Sequence, residues 1–175
     1  MKVLSTKTVF TSRYFKVIHK EIERHGKQFS KEFIERTPSV LIIPYNEDNT
    51  IYMGSEFRDA FNRKLLQVVG GKIEEGGDPL DTAKRELKEE AGLTAKTWKK
   101  LYEWELNPNM NSKIHLFIAT DLEEGKQQLD IDEEIDIIKL PMETVLEKIV
   151  NGEIMTTEDI AALLLFDRLR KEGKL

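Results

Sequence analysis

The chain has 175 residues, 39% hydrophobic and 34% charged, with a formal charge of −5 and a pI near 5.4. That size and balance suit one soluble domain with its own core. Acidity without a basic tract argues against nucleic acid as a partner. The absence of cysteine excludes disulfides, thiolate metal sites and cysteine catalysis, and fits a reducing, cytoplasmic setting. The opening residues MKVLSTKTVF hold no apolar run of signal-peptide length. AALLLF at 161–166 is too short to span a bilayer, so no membrane association is expected.

Taken in chain order, residues 14–23 and 28–36 are predicted strands around a hairpin turn at His25-Gly26-Lys27. Residues 40–45 form an apolar, branched run, hence a buried strand. Asn46-Glu47-Asp48-Asn49 turns the chain, 51–57 returns as a strand, and 65–69 is a short strand leading into Gly70-Gly71. A helix follows. Asp78 is its N-cap, Pro79 suits its first position, and Gly92 is its stop. Leu80, Ala83, Leu87 and Ala91 make its apolar stripe. Residues 96–106 and 113–119 are extended, 122–134 an acidic loop, and 135–140 a last strand. A helix runs from Pro141-Met142-Glu143 to about Val150, and another from 157 to 171, with Ala162, Leu165, Phe166 and Leu169 on its buried face. This order predicts a mixed sheet layered with helices.

Residues 71–93, GKIEEGGDPLDTAKRELKEEAGL, carry the densest signal. Glu86, Glu89 and Glu90 fall within about a third of the helix circumference, where like charges repel. A solvated surface run would tolerate them. The glycine-rich loop, the cap and the spacing favour instead a hard divalent cation with oxygen ligands. Glu86 and Glu90, at i and i+4, point into one site from successive turns. Glu89 adds a ligand and stands within i+4 reach of Arg85. The histidines His19, His25 and His115 have no metal-ligand spacing.

The stretch resembles the Nudix box, G-x5-E-x7-R-E-U-x-E-E-x-G-U, where U is a bulky aliphatic residue. Gly71, Arg85, Glu86, Leu87, Glu89, Glu90, Gly92 and Leu93 match eight of its nine specified places. The resemblance implies an α+β fold, an α/β/α sandwich with a mixed sheet, and hydrolysis of a diphosphate linkage using Mg²⁺ or Mn²⁺. Glu86, Glu89 and Glu90 would hold the metal. The carbonyl of Gly70 would be a further ligand, unless that glycine merely permits a tight turn. Over nearly its whole length the chain is similar to ADP-ribose pyrophosphatases and nucleotide-sugar hydrolases. That similarity implies an N-terminal β-hairpin region at 1–37 for dimerisation and substrate contacts, a hydrolase domain at 38–175, and a homodimer. Arg58, at the end of a strand before the box, would clamp the diphosphate, and Pro108 sits where a proline accompanies ADP-ribose activity. By residue type, Tyr14, Phe15 and Phe57 could stack an adenine, although aromatic residues in strands are more often core. In DIDEEIDIIKLP, Glu133 and Glu134 compete as the general base.

The ninth place of the box is Gly77, where the family has a glutamate that pairs with the box arginine, here Arg85. Glu74, Glu75 or Asp78 are the available substitutes, Asp78 being already the helix cap. The leading expectation is a metal-dependent enzyme, impaired at this position, that splits ADP-ribose or a related nucleoside diphosphate sugar into a nucleoside monophosphate and a sugar phosphate. The alternative is a non-catalytic or impaired Nudix domain that binds ADP-ribose or a nucleotide. An RNA-end pyrophosphohydrolase is disfavoured by the acidity.

Overall fold

The computed structural model describes residues 1–131 and 133–175. The expected hairpin is β2 (Phe15–Arg24) with β3 (Lys27–Arg36), in register from Phe15–Arg36 to Arg24–Lys27. Its two-residue turn places His25 and Gly26 at φ 53° and 71°, the primed geometry that matches strand twist. A third strand, β1 (Lys2–Thr11), joins it antiparallel to β2 with two register shifts. All ten of its residues are exposed, so no alternation of apolar and polar residues announces it.

The rest of the chain runs β4 (Ser39–Pro44), β5 (Thr50–Arg58), a 3₁₀ turn, β6 (Arg63–Gln67), β7 (Val69–Lys72) and α1 (Pro79–Ala91). It continues as β8 (Leu93–Asn107), β9 (Met110–Glu124), β10 (Ile135–Pro141), α2 (Met142–Val150) and α3 (Thr157–Lys171). β9 pairs antiparallel with β8 and parallel with β4, and β4 pairs antiparallel with β7. β3 also meets the start of β9 in parallel, through Ile34–Met110 and Glu35–Asn111. The N-terminal strands and the main sheet are therefore continuous. β10, β5 and β6 form a second, three-stranded sheet. The predicted single strand at 65–69 is thus two strands in two sheets, parted at Val68.

Period-2 alternation builds the layers. On one face of the main sheet Val40, Ile42, Phe117 and Ala119 pack under α1 with Ala83, Leu87 and Ala91. On the other, Ile43, Leu116 and Ile118 pack with Met53, Met142, Val145, Leu163 and Phe166 from β5, α2 and α3. Helices on both faces make the expected sandwich. On α3, Leu163 is fully buried, whereas Leu165 and Leu169, expected on that face, are half-buried. Among the described residues no helix is long and apolar enough to cross a membrane.

Phe166 is fully buried and meets the Tyr45 ring edge-on at 5.1 Å. Phe166→Ala should cost about 3–5 kcal/mol and lower Tm by roughly 10 °C. Leu164→Ala, two residues away and 48% exposed, should stay within about 0.5 kcal/mol. Thermal denaturation of the two variants checks this assignment of the core.

Candidate active site

α1 is held by local chemistry at both ends. The Asp78 carboxylate accepts from the Leu80 and Asp81 amides at 2.8 and 3.0 Å, and Gly92 closes the helix at φ 64°. Its register against β7 depends on Gly71. A Cβ there would lie 2.1 Å from Glu86 Oε1, so glycine alone lets that carboxylate lie against the strand. At Gly70 a Cβ would meet the Val40 carbonyl at 2.3 Å. The Gly70 amide donates to Glu90 Oε2 at 3.2 Å. Gly70 is thus needed for the close approach of β7 to β4, and Gly71 for this placement of the Glu86 carboxylate.

These contacts floor a cleft of about 640 Å³, walled by the N-terminal strands, β5 to β7, α1 and the start of α3. Its carboxylates crowd one end. Burial pushes Glu90 up to about 8, with Glu86, Glu133 and Glu56 adding to the shift and the Gly70 amide opposing it. Burial also raises Glu86, opposed by Arg85, and raises Glu56, opposed by Arg58. A pocket that holds several carboxylates at this disadvantage suits a hard divalent cation, which restores their charged forms. Glu86 and Glu90 would hold it, with Glu89 and the Gly70 carbonyl as further oxygen donors. Among the described residues, no three His, Asp or Glu side chains gather closely enough to hold a metal as they stand.

Arg85 accounts for much of that spacing. Its guanidinium donates to Glu86 Oε1 at 2.7 Å and to Glu89 Oε2 at 2.5 Å. Neither Glu74 nor Glu75 pairs with it among the described residues, so neither replaces the glutamate missing at 77. The Gly77 amide closes a turn onto the Glu74 carbonyl at 2.9 Å, and Gly76 within that turn needs its φ of 76°. Gly77 itself is not in the left-handed region. A Cβ there would lie 3.1 Å from the Glu74 carbonyl and 3.3 Å from Ile73 Cγ2, close enough that its neighbours must give by a few tenths of an ångström.

The structure separates the remaining candidates. Arg58 lines the cleft, bonded to Glu56 at 2.8 Å and to Gln67 Oε1 at 2.6 Å. Glu133 lines the cleft, whereas the Glu134 side chain is 85% exposed and lies 4.0 Å from Lys64. Asp132 falls outside the described residues. The acidic loop is pinned to the end of α1. Gly125 and Gln128 donate backbone N–H groups to the Gly92 and Glu89 carbonyls at 2.6 and 2.8 Å. The Gln127 side-chain amide bridges the Glu90 and Ile135 carbonyls at 2.6 and 3.0 Å, which ties together the two ends of the loop that carries Glu133. Tyr14 lines the cleft, but its ring is covered by the Lys72 ammonium at 4.0 Å. Phe15 packs on Phe10 at 5.7 Å and lines an adjoining groove. Pro108 is exposed at the β8–β9 turn and does not reach the cleft.

Sequence reasoning missed Glu56 and Asp159. Glu56 stands two residues before Arg58 on one strand, hence on the same face, and that alternation was its only signal. Asp159, 3% exposed, accepts from Thr156 Oγ1 at 2.5 Å and the Val68 amide at 3.3 Å. Burial pushes it up to about 6. Its signal was the helix-start pattern Thr156-x-x-Asp159.

The family model described as NUDIX domain matches residues 35–158. The chain is 30% identical over 172 residues to the ADP-ribose pyrophosphatase of Bacillus subtilis (strain 168), covering 93% of each chain. It is 31% identical over 166 residues to the methanol dehydrogenase activator of Bacillus methanolicus, covering 93% of this chain and 90% of that one. Among solved structures, one titled as an ADP compounds hydrolase superposes with a TM-score of 0.84 at 23% identity, covering 99% of this chain and 96% of that one. That last likeness concerns the fold.

Glu90 makes stability depend on pH. Its folded pKa, about 8, stands above the ordinary 4.5, so the folded state keeps a proton that the unfolded chain releases. Stability therefore falls as pH rises from about 4.5 to 8 and levels off above. In chelator, Glu90→Gln should escape this loss. Its Tm should exceed that of the unaltered chain by about 3 °C or more near pH 9, with the difference vanishing near pH 4. Parallel melting curves across that range would refute the burial argument.

Proposed function

The chain belongs to the NUDIX family, and on that premise we propose that its cleft binds an ADP-ribose-like nucleoside diphosphate and hydrolyses the diphosphate linkage slowly, in a site impaired at position 77. The observation that carries the reading is Arg85 bound to both Glu86 and Glu89 where the motif would give it a separate glutamate. Glu86 and Glu90 would hold Mg²⁺ or Mn²⁺, which would neutralise phosphate charge and acidify a water. The Arg58 fork suits two phosphate oxygens. Glu133 faces the same space and takes the proton of the attacking water as its oxygen bonds to phosphorus. The bridging P–O bond then breaks, leaving a nucleoside monophosphate and a sugar phosphate. Glu90, tethered by the Gly70 amide, keeps its orientation throughout.

A second reading, binding without turnover, is favoured by the same arginine and by the open spacing of the carboxylates among the described residues. A cytoplasmic homodimer belongs to either reading. The cysteine-free composition supports the first part. The exposed Val3, Val9 and Phe10 of β1 support the second, as apolar surface for a second copy.

The test combines calorimetric binding of ADP-ribose with chromatographic detection of the nucleoside monophosphate formed from a panel of nucleoside diphosphate sugars, with Mg²⁺, Mn²⁺ or chelator. Binding with slow, metal-dependent product formation supports the first reading. Binding with no product under any metal supports the second, and no binding sinks both. Gly77→Glu should give Arg85 a new partner and free Glu86 and Glu89, raising turnover or metal affinity by about tenfold, the range of changes around a metal's ligands. A fall in both would show that Arg85 is not what restrains the site. Glu133→Gln should lower kcat by about a hundredfold while metal affinity stays nearly constant. An unchanged kcat would remove Glu133 as the base.

A further inference from the structure

Positive charge is in surplus where the cleft meets the adjoining groove, which Arg13, Arg36 and Tyr14 also line and Glu86, Glu89 and Glu90 do not. Arg13 comes from the β1–β2 connection, Arg36 from the end of β3 and Lys72 from the end of β7, and all three line the cleft. None makes a salt bridge or side-chain hydrogen bond among the described residues, although Glu74 lines the same cleft. The other two cations there are engaged, Arg58 by Glu56 and Arg85 by Glu86 and Glu89. Among the described residues the Tyr14 ring faces two of the first three, 4.0 Å from the Lys72 ammonium and 5.6 Å from the Arg13 guanidinium.

The diphosphate belongs at the α1 end, beside the carboxylates that would hold its cation. Arg58 would serve it there, whereas Arg13 and Arg36 reach past it into the adjoining groove, with Lys72 beside them on the Tyr14 ring. Two guanidinium forks and an ammonium around one space suit a compact dianion with three equivalent oxygens. A phosphomonoester is such a group, close to doubly charged at neutral pH. We propose that Arg13, Arg36 and Lys72 form a phosphomonoester subsite, so that the cleft selects nucleoside diphosphates carrying an additional phosphate remote from the scissile linkage. The proposal rests on the reading of the cleft as a nucleoside diphosphate site. It also gives the Tyr14 ring a task other than base stacking, since it holds Lys72 in place.

The test compares ADP-ribose with ADP-ribose 2′-phosphate by calorimetry in chelator, which makes binding independent of turnover. The unaltered chain should bind the phosphorylated compound about tenfold or more tightly, the equivalent of about 1.4 kcal/mol. Arg36→Gln and Lys72→Gln should each cut that preference below about threefold, while affinity for ADP-ribose changes by less than about threefold. Both are partly exposed surface cations, so unchanged melting temperatures would show that the fold is intact. Equal binding of the two compounds by the unaltered chain overturns the subsite alone. So does an equal weakening of both compounds in the variants, which would place these cations on the diphosphate. Failure of both compounds to bind overturns the subsite together with the nucleoside diphosphate reading.

Discussion

The contact between Glu86 and Gly71 governs the rest of the site. The Glu86 carboxylate occupies the space that a side chain at 71 would fill. Glycine at 71 is what lets the Glu86 carboxylate lie between α1 and β7. That arrangement buries Glu90 behind the Gly70 amide and brings Glu56 and Glu133 near enough to raise its pKa. One steric allowance thus produces a pocket of carboxylates short of solvent and of positive charge. The chemistry of the cleft follows from how that shortage is met.

Two cations compete to meet it. Arg85 is already present, on the same helix, and engages Glu86 and Glu89 through both ends of its guanidinium. Its side chain is 43% exposed, and ion pairs so open to water are worth about 0–1 kcal/mol. A divalent ion brings twice the charge of that guanidinium to the two or three carboxylates. Arg85 therefore weakens metal binding more readily than it abolishes it. On this ground the proposed reading at Gly77 is slowed hydrolysis rather than none.

The cleft is electrically divided. Its carboxylate end is set by α1 and by the acidic loop, whose beginning is bound to the last carbonyls of α1 and whose return is caught by Gln127. Those carbonyls need partners at any helix end, and here the partners are backbone and side-chain groups of the loop that bears Glu133. Helix termination and site assembly are thus one event. The cleft's cationic part lies toward the adjoining groove, with Arg13 and Arg36 from the N-terminal strands, which share a sheet with the rest of the chain through β3 and β9, and Lys72 from β7. A ligand that is anionic throughout and brings its own cation matches this division.

Local rules determined α1 completely. Its cap, its first-turn proline, its apolar period and its closing glycine all lie within fifteen residues and agree with one another, so both boundaries were legible. The paired strands β2 and β3 were legible for the same reason, through a turn only two residues long. β1 was not, because it exposes all its residues and owes its conformation to pairing with β2. The break at Val68 was equally hidden, since the change from one sheet to the other depends on strands distant in sequence. The choice between Glu133 and Glu134 lay beyond composition as well. The two are adjacent and alike, and only the pairing of Ile135 with Glu56 orients the chain that brings one of them to the cleft. The pairing of Arg85 was decided in three dimensions too, because i+1 and i+4 carboxylates on its own helix were nearer than those of the preceding turn. Arg13, Arg36 and Lys72 carry no shared motif, and their assembly exists only because β1, β3 and β7 end around the same space.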